Sequence, residues 1–284
     1  CTYCVVPTTR GVEQSRTKDA ITQEMTMLAE SGYREVTLLG QNIDSWGRDM
    51  NPKQKFADLL KACGEVDGID RVRFLTSHPK YMSKRVITAV AENPKLMPCF
   101  NVPFQSGDNE VLREMRRGYS RERFLEIVYE IRRQVPDAAI TADVIVGFPG
   151  ESEEAFERTL SLMREVEFEQ VNTAAYSPRP NTPAADYQQH TDEVKQDRLQ
   201  KINRLATEHA LNRSLRFVGR TMDVLVEDVD LKNPSRVKGR IPHGRITYFE
   251  GNYAELKGKV VRVKILEARP YHLLAERVPD CDPM

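Results

Sequence analysis

The chain has 284 residues, 40% apolar and 30% charged, with a formal net charge of zero. That balance belongs to a folded globular protein and excludes disordered and fibrous classes. The length suits one large domain, or one large and one small. No apolar run approaches the ~20 residues of a membrane-spanning helix, so no membrane partner is expected. The cysteines, Cys1, Cys4, Cys63, Cys99 and Cys281, are too sparse and uneven for a disulfide framework and point to a reducing compartment.

The chain opens on CTYCVVPTTRG, without an initiator methionine, as a fragment cut inside a motif would. A C-x-x-C fits a redox pair, half of a zinc site, or part of an iron–sulfur ligand set. With no second C-x-x-C and no His pair nearby, zinc has the least support. Cys63, Cys99 and Cys281 read as buried or incidental thiols.

Up to Pro178, amphipathic stretches predict helices at Lys18–Ser31, Phe56–Val66, Ser83–Glu92, Asn109–Met115, Arg121–Gln134 and Ser152–Val166. Between them, β-branched runs predict strands at Glu35–Asn42, Arg71–Pro79, Phe100–Gly107, Ile140–Gly150 and Gln170–Pro178. Strands buried on both faces, with helices as crossovers, make a parallel α/β sheet or barrel. The strands end in polar or Gly/Pro-rich tips (GQN, TSHP, QSG, GFPGE, SPRP), where such folds bind ligands. After SPRPNTPAADY a helix is predicted over 191–216, with Leu199, Ile202, Leu205 and Leu211 at helical spacing. From Phe217, short alternating runs predict a small antiparallel β-barrel over 217–278, then a tail at 279–284. Between Arg216 and Arg277 there are 13 Lys and Arg against 8 Asp and Glu, a surplus that points to a polyanionic partner.

CTYCVVPTTRGVEQSR resembles the last two-thirds of the C-x-x-x-C-x-x-C signature of radical S-adenosylmethionine (radical SAM) enzymes. The likeness continues through LLGQN, FLTSHP, PFQSGDNEVLREMRRGYSRE, DVIVGFPGESEEAFE and YSPRPNTPAA, and the C-terminal segment is similar to the TRAM domain, a small RNA-binding barrel. FLTSHP and YSPRPxTPAA look like the MiaB-type tRNA methylthiotransferases. The resemblance implies a partial (β/α) radical SAM barrel over 1–216, lacking its first strand and first cluster cysteine, fused to a TRAM-like barrel over 217–278.

The activity it implies is conversion of N6-isopentenyladenosine at position 37 of tRNA, next to the anticodon, to its 2-methylthio derivative. Alternatives are methylthiolation of threonylcarbamoyladenosine or of a ribosomal protein, or a non-catalytic RNA-binding remnant. Replacing an aromatic C–H has no acid–base route, so the difficult chemistry would belong to the cofactors. Cys1 and Cys4 would be the second and third ligands of a 4Fe-4S cluster, the first lying upstream. Gly40, Gln41 and Asn42 would meet the methionine end of S-adenosyl-L-methionine, and Gln105 and Ser106 its sugar. Asp143, Ile145 and Gly147 would cradle the adenine, with Glu151 closing that block. Arg179 is a candidate for the cofactor carboxylate or a tRNA phosphate.

Arg236, Lys238, Arg240 and Arg245, interleaved with His243, Tyr248 and Phe249, would bind RNA. His78 reads as a strand-end structural residue, and the charge around Arg113–Arg117 as a solvated helix face. The family also carries an N-terminal domain whose three cysteines hold a second 4Fe-4S cluster, and it draws electrons from a donor such as flavodoxin or ferredoxin. The chain as given is therefore expected not to complete methylthiolation alone. A bacterial cytoplasm or a plastid fits the wording of the sequence. Two departures stand out: PTTRG for P-Y-T-R-G, and SPRPN for SPRPG.

Overall fold

The computed structural model describes residues 1–278; Cys281 and the predicted 279–284 tail lie outside the described residues. After a short helix α1 (Val6–Arg10), the chain runs α2 (Lys18–Glu30), β1 (Glu35–Leu38), α3 (Phe56–Gly64), β2 (Arg71–Phe74) and α4 (Lys84–Glu92). It continues through β3 (Cys99–Asn101), α5 (Asn109–Glu114), α6 (Arg121–Gln134), β4 (Ala139–Val146), α7 (Glu153–Val166), β5 (Gln170–Ala175) and α8 (Asp192–Leu215). Local chemistry sets the helix starts. Thr17, Asp108, Ser120, Ser152 and Thr191 each accept a backbone N–H from the first turn with their side chains.

The first five strands form the partial (β/α) barrel that the alternation predicts. β1 pairs in parallel with β2, and β3, β4 and β5 pair in parallel with each other. The two groups meet where Val72 N–H donates to Lys95 O (2.7 Å) and Met97 N–H donates to Val72 O (3.0 Å). Val72, Phe74, Phe100, Ile140, Ala142 and Val144 point outward into one core with Leu60, Phe124, Phe156 and Ile202 of the helices. The opposite strand face is not apolar as expected. It carries Arg71, Arg73, Asn101, Thr141, Asp143 and Ile145, because the partial barrel leaves that face to polar partners. No helix among the described residues is long and apolar enough to cross a membrane.

The second unit comprises β6 (Thr221–Val229), β7 (Arg236–Arg240), β8 (Ile246–Glu250), α9 (Tyr253–Leu256), β9 (Val260–Ala268) and β10 (His272–Arg277). The strands close in the order β10-β8-β7-β6-β9. Pairing is antiparallel except between β10 and β8. A ring of five strands cannot alternate direction all the way round, so one parallel seam is unavoidable. Phe217, Val224, Val237, Phe249, Val263 and Leu273 fill the interior. Phe249, expected to stack on RNA, is a core residue here.

The small barrel is seated under the N-terminal ends of β1–β5. Arg71 donates to Arg240 O (2.7 Å) and Asp223 O (2.9 Å), and Arg73 to Pro242 O (2.8 Å) and Ile241 O (3.0 Å). In return, Arg245 Nη2 donates to Glu169 O (2.6 Å) and Ala210 O (3.1 Å). The turn after β7 thus plugs the lower end of the larger barrel, where a Cβ on Gly244 would lie 3.4 Å from Cys99 Sγ.

Candidate active site

The opening C-x-x-C lies at the opposite, C-terminal end of the strands. Thr2 pins it there: its N–H donates to Met115 O (3.2 Å), its Oγ1 to Glu114 O (2.8 Å), and its carbonyl accepts from Ala184 N–H (3.0 Å). Tyr3 packs edge-on against Phe148, ring centroids 6.3 Å apart. Between these anchors Cys1 is exposed and Cys4 half-buried, both as free thiols. Arg117 Nη1 donates to Cys1 Sγ at 3.3 Å, placing a cation where a thiolate is favoured. Two unpaired, outward thiols beside a cation fit two ligands of an iron–sulfur cluster. Among the described residues no third His, Cys, Asp or Glu completes a metal set.

The strand tips interlock around this point. Thr76, after β2, donates its hydroxyl to Gly40 O after β1, and Ile43 N–H donates back to Thr76 O (3.2 Å). His78 N–H reaches both carboxylate oxygens of Asp44 at 3.0 Å. Thr76 and Gln105, neither a glycine, hold left-handed φ values of 66° and 63° at the tips of β2 and β3. Such strain persists only where surrounding structure dictates it, and it gathers at functional sites. Asn181 has φ 62°, which explains SPRPN in place of SPRPG: asparagine tolerates the left-handed turn.

Three buried side chains at the strand tips make no hydrogen bond of their own. Asn42 Oδ1, Ser77 Oγ and Gln105 Oε1 are buried without a hydrogen-bond partner. Native proteins pair nearly all such groups, and an unpaired acceptor in a concave site suits a bound ligand's donors. Asp143 and Ile145 face the same inner surface, where Asp143 Oδ1 accepts from Asn172 Nδ2 (2.8 Å). These groups fit a polar cofactor such as S-adenosyl-L-methionine: an amino-acid end needs acceptors and an adenine needs an apolar shelf like Ile145.

Several other predicted residues also make structural contacts. Ser106 is buried, with its Oγ accepting from Asp108 N–H (3.2 Å) and lying 3.4 Å from Thr159 Oγ1, so it holds the turn into α5. Glu151 is fully buried; its Oε2 accepts from Gly147 N–H (2.7 Å) and Arg198 Nη1 (2.8 Å). It clasps the GFPGE turn to α8, and burial pushes its carboxyl up to about 7. Gly147, at φ 68°, makes room for Lys195, whose Cγ would lie 2.7 Å from an added Cβ. Arg179 is exposed beside the mouth, and its carbonyl accepts from Thr182 Oγ1 (2.7 Å). Gly40 and Gln41 line, with Asn42, a cavity of about 860 Å³ between β1 and α2, apart from Gln105 and Asp143.

The predicted RNA face divides. Arg236, Lys238 and Arg240 lie on the outer side of β7, each paired with a carboxylate of β6 or of the residue just after it: Asp230 (3.6 Å), Asp228 (3.2 Å) and Glu227. Arg245 is buried against the larger barrel, so it joins the two units rather than facing RNA. His243 goes with it, 3.3 Å from Asp137, and burial holds its imidazole down at about 4.

Sequence reasoning missed Asp44, His78 and Arg117. Asp44 is buried with its carboxylate accepting from His78 N–H, and desolvation pushes its carboxyl up to about 7. His78 packs edge-on to Tyr119 (5.4 Å), and burial with Arg117 and Lys80 nearby drives its imidazole down to about 3. The signal was there in TSHP and in EMRRGY, but charge spacing alone could not tell a rim from a solvated helix.

Comparison with known proteins agrees with this geometry. The Radical SAM superfamily model matches residues 1–163, and the TRAM domain model matches residues 215–278. Methylornithine synthase is 18% identical, with TM-score 0.52, over 74% of this chain and 59% of that one. Coproporphyrinogen III oxidase from Escherichia coli, a radical SAM enzyme, is 19% identical at TM-score 0.52, over 67% of this chain and 45% of its own. A radical S-adenosylmethionine methyltransferase from Kitasatospora setae, with cobalamin and a 4Fe-4S cluster bound, is 16% identical at TM-score 0.54, over 65% and 36%. The match spans less than two thirds of each of these proteins, and identities this low speak to the fold alone. With the family model covering more than half of its length, the chain belongs to the radical SAM superfamily, whose members use a 4Fe-4S cluster and S-adenosyl-L-methionine, and it carries a TRAM domain behind that core.

Proposed function

We propose that the protein is a tRNA methylthiotransferase of MiaB type, acting on N6-isopentenyladenosine next to the anticodon. The observation that carries the reading is the joining, in one chain, of a C-x-x-C mouth on a radical SAM core to a TRAM barrel clamped by Arg71, Arg73 and Arg245. FLTSHP and YSPRPNTPAA, which look like this subfamily, both lie at that mouth. In the bound state, a 4Fe-4S cluster with S-adenosyl-L-methionine supplies a radical able to take hydrogen from an unactivated C–H.

The chain's own residues prepare the place. Cys1 and Cys4 would hold two cluster irons, with a third thiolate from an upstream cysteine. Gln105 would offer its unpartnered oxygen to the cofactor's donors, with Asp143 and Ile145 as the wall beside it, and Asn42 would reach it from the neighbouring cavity at the tip of β1. Tyr3, Phe148 and Tyr176 pack together behind the thiols and exclude water, which protects a reactive intermediate. The donated sulfur would come from a second 4Fe-4S cluster on a further domain, and electrons from a flavodoxin or ferredoxin.

Mass spectrometry of nucleosides from total tRNA, in cells with and without the full-length gene, tests this directly. Loss of the 2-methylthio nucleoside with accumulation of isopentenyladenosine is expected. Unchanged nucleosides would reject the substrate and redirect attention to a ribosomal protein target or a purely RNA-binding role.

A further inference from the structure

Near the C-x-x-C, an aromatic and cationic strip runs along the rim from the tip of β1 to the loop between α5 and α6. Arg48 lies over the Tyr81 ring, its Cζ 4.7 Å from the centroid, and Lys80 Nζ sits 5.5 Å from the same ring. Tyr81 adjoins His78 at 5.6 Å, and His78 adjoins Tyr119 at 5.4 Å. Beyond Tyr119 a depression of about 390 Å³ is bordered by Arg113, Arg116 and Gly118. The cations of this strip differ from their neighbours. Lys84, Arg85, Arg113 and Arg123 each form an ion pair with a nearby carboxylate. Arg48, Lys80 and Arg116, all exposed, have no ion-pair partner among the described residues.

Unpaired cations beside a stacked guanidinium and tyrosine are chemically specific. Phosphates take the free charge, and unpaired bases stack on aromatic rings or on the plane of an arginine. Exposed base faces exist in loops and single strands, whereas in a duplex they are stacked away. His78 fits the same partner, since its Nδ1 accepts from Lys80 N–H (3.2 Å), which leaves Nε2–H as the donor.

We propose that Arg48, His78, Lys80, Tyr81, Arg116 and Tyr119 form a docking strip for a single-stranded RNA segment, which they lay across the rim toward the thiols. The strip rests on the reading of the protein as an RNA-modifying enzyme and adds to it a second RNA surface, separate from the TRAM barrel.

Fluorescence anisotropy with the whole chain tests the strip, using a labelled RNA hairpin with an unpaired loop and a fully paired duplex of matching stem. Tyr81→Leu should weaken hairpin binding roughly tenfold, the usual scale for losing one stacked base, and leave duplex binding unchanged. Tyr81→Phe should bind like the parent. Lys80→Gln and Arg116→Gln should each lower the slope of log affinity against log salt by about 1. These exposed cations can be replaced without disturbing the core, so their slopes decide the matter even if Tyr81→Leu folds poorly. A hairpin bound by the parent and equally by all these variants overturns the strip alone. A parent that binds neither RNA overturns the RNA-modifying reading itself, and the strip with it.

Discussion

The two ends of the larger barrel are built on opposite rules. At the N-terminal end, buried guanidiniums reach for carbonyls and carboxylates: Arg73 bonds Glu35, Ile241 and Pro242, and Glu169 accepts from Arg213 and lies 2.7 Å from Arg216. At the C-terminal end, Asn42, Ser77 and Gln105 make no side-chain hydrogen bond, and Arg48, Lys80 and Arg116 stand without carboxylates among the described residues. Both ends are rich in polar residues, so composition does not separate them. What differs is how the side chains are held. Glu35, Arg216, His243 and Arg245 each keep an atom unpartnered, yet Glu35, Arg216 and Arg245 are tied by their other atoms. Asn42, Ser77 and Gln105 have no side-chain bond at all. Side chains tied across the two units make a joint, and side chains with no bond of their own are where a ligand can be held.

The joint is where substitution should cost most stability. Arg73→Ala removes three donors and leaves Glu35 with only Arg71, 3.9 Å away. Breaking a buried ion pair from one side typically costs about 3–5 kcal/mol, and urea unfolding should show a loss on that scale. A loss below about 1 kcal/mol, the level of a surface pair, would mean that the small barrel is not clamped through this contact.

Asp44 sits at the open end and should behave in the reverse way. Its carboxyl is pushed from 3.8 up to about 7 by desolvation, so the folded state binds a proton that the unfolded state has already released. Stability should therefore be fullest below pH 4 and fall as pH rises from 4 to 7. Asp44→Asn keeps an acceptor for His78 N–H but carries no charge. It should raise stability by about 2–4 kcal/mol at pH 8, change little at pH 3.5, and flatten the profile between. Unfolding curves across that range would expose an unchanged slope if the carboxyl is in fact solvated.

The architecture was legible because it rests on local chemistry. Helix caps at Thr17, Ser120, Ser152 and Thr191, and β-branched runs between them, announce themselves in the sequence. The thiol pair and the polar strand tips were legible as motifs, but the left-handed backbone at Thr76 and Gln105 was not. The distinction between Gln105 and Ser106 was not, though they are adjacent. One carries an unpartnered oxygen and the other closes a turn against Thr159, 53 residues away. Arg245 and Lys238 also look alike as letters, and only the docking of one unit on the other buries the first. Long-range partners decide such cases, and spacing does not record them.

Gly147 tests whether the GFPGE turn belongs with the joint or with the site. An added Cβ would take a left-handed φ and meet Lys195 Cγ at 2.7 Å. Gly147→Ala should lose about 1–2 kcal/mol, the usual cost of a non-glycine residue in that conformation. If thermal unfolding is unchanged while cofactor binding falls, the glycine serves the ligand and not Lys195.

Gln105 gives the smallest effect on stability and the cleanest separation of the two ends. Its Oε1 is buried and unpartnered, so the folded protein carries a desolvation cost with nothing set against it. Gln105→Leu keeps the size and the backbone strain and removes that oxygen. The free protein should be unchanged or up to about 1 kcal/mol more stable, opposite in sign to Arg73→Ala. The affinity for S-adenosyl-L-methionine should fall severalfold, since one hydrogen bond to a neutral sugar hydroxyl is worth about 0.5–1.5 kcal/mol. Equilibrium dialysis with the cofactor, run beside thermal denaturation, reads both quantities on one sample. A variant that loses stability without losing affinity would show that Gln105 is a structural residue, and a buried side chain with no bond of its own would then not point to the ligand.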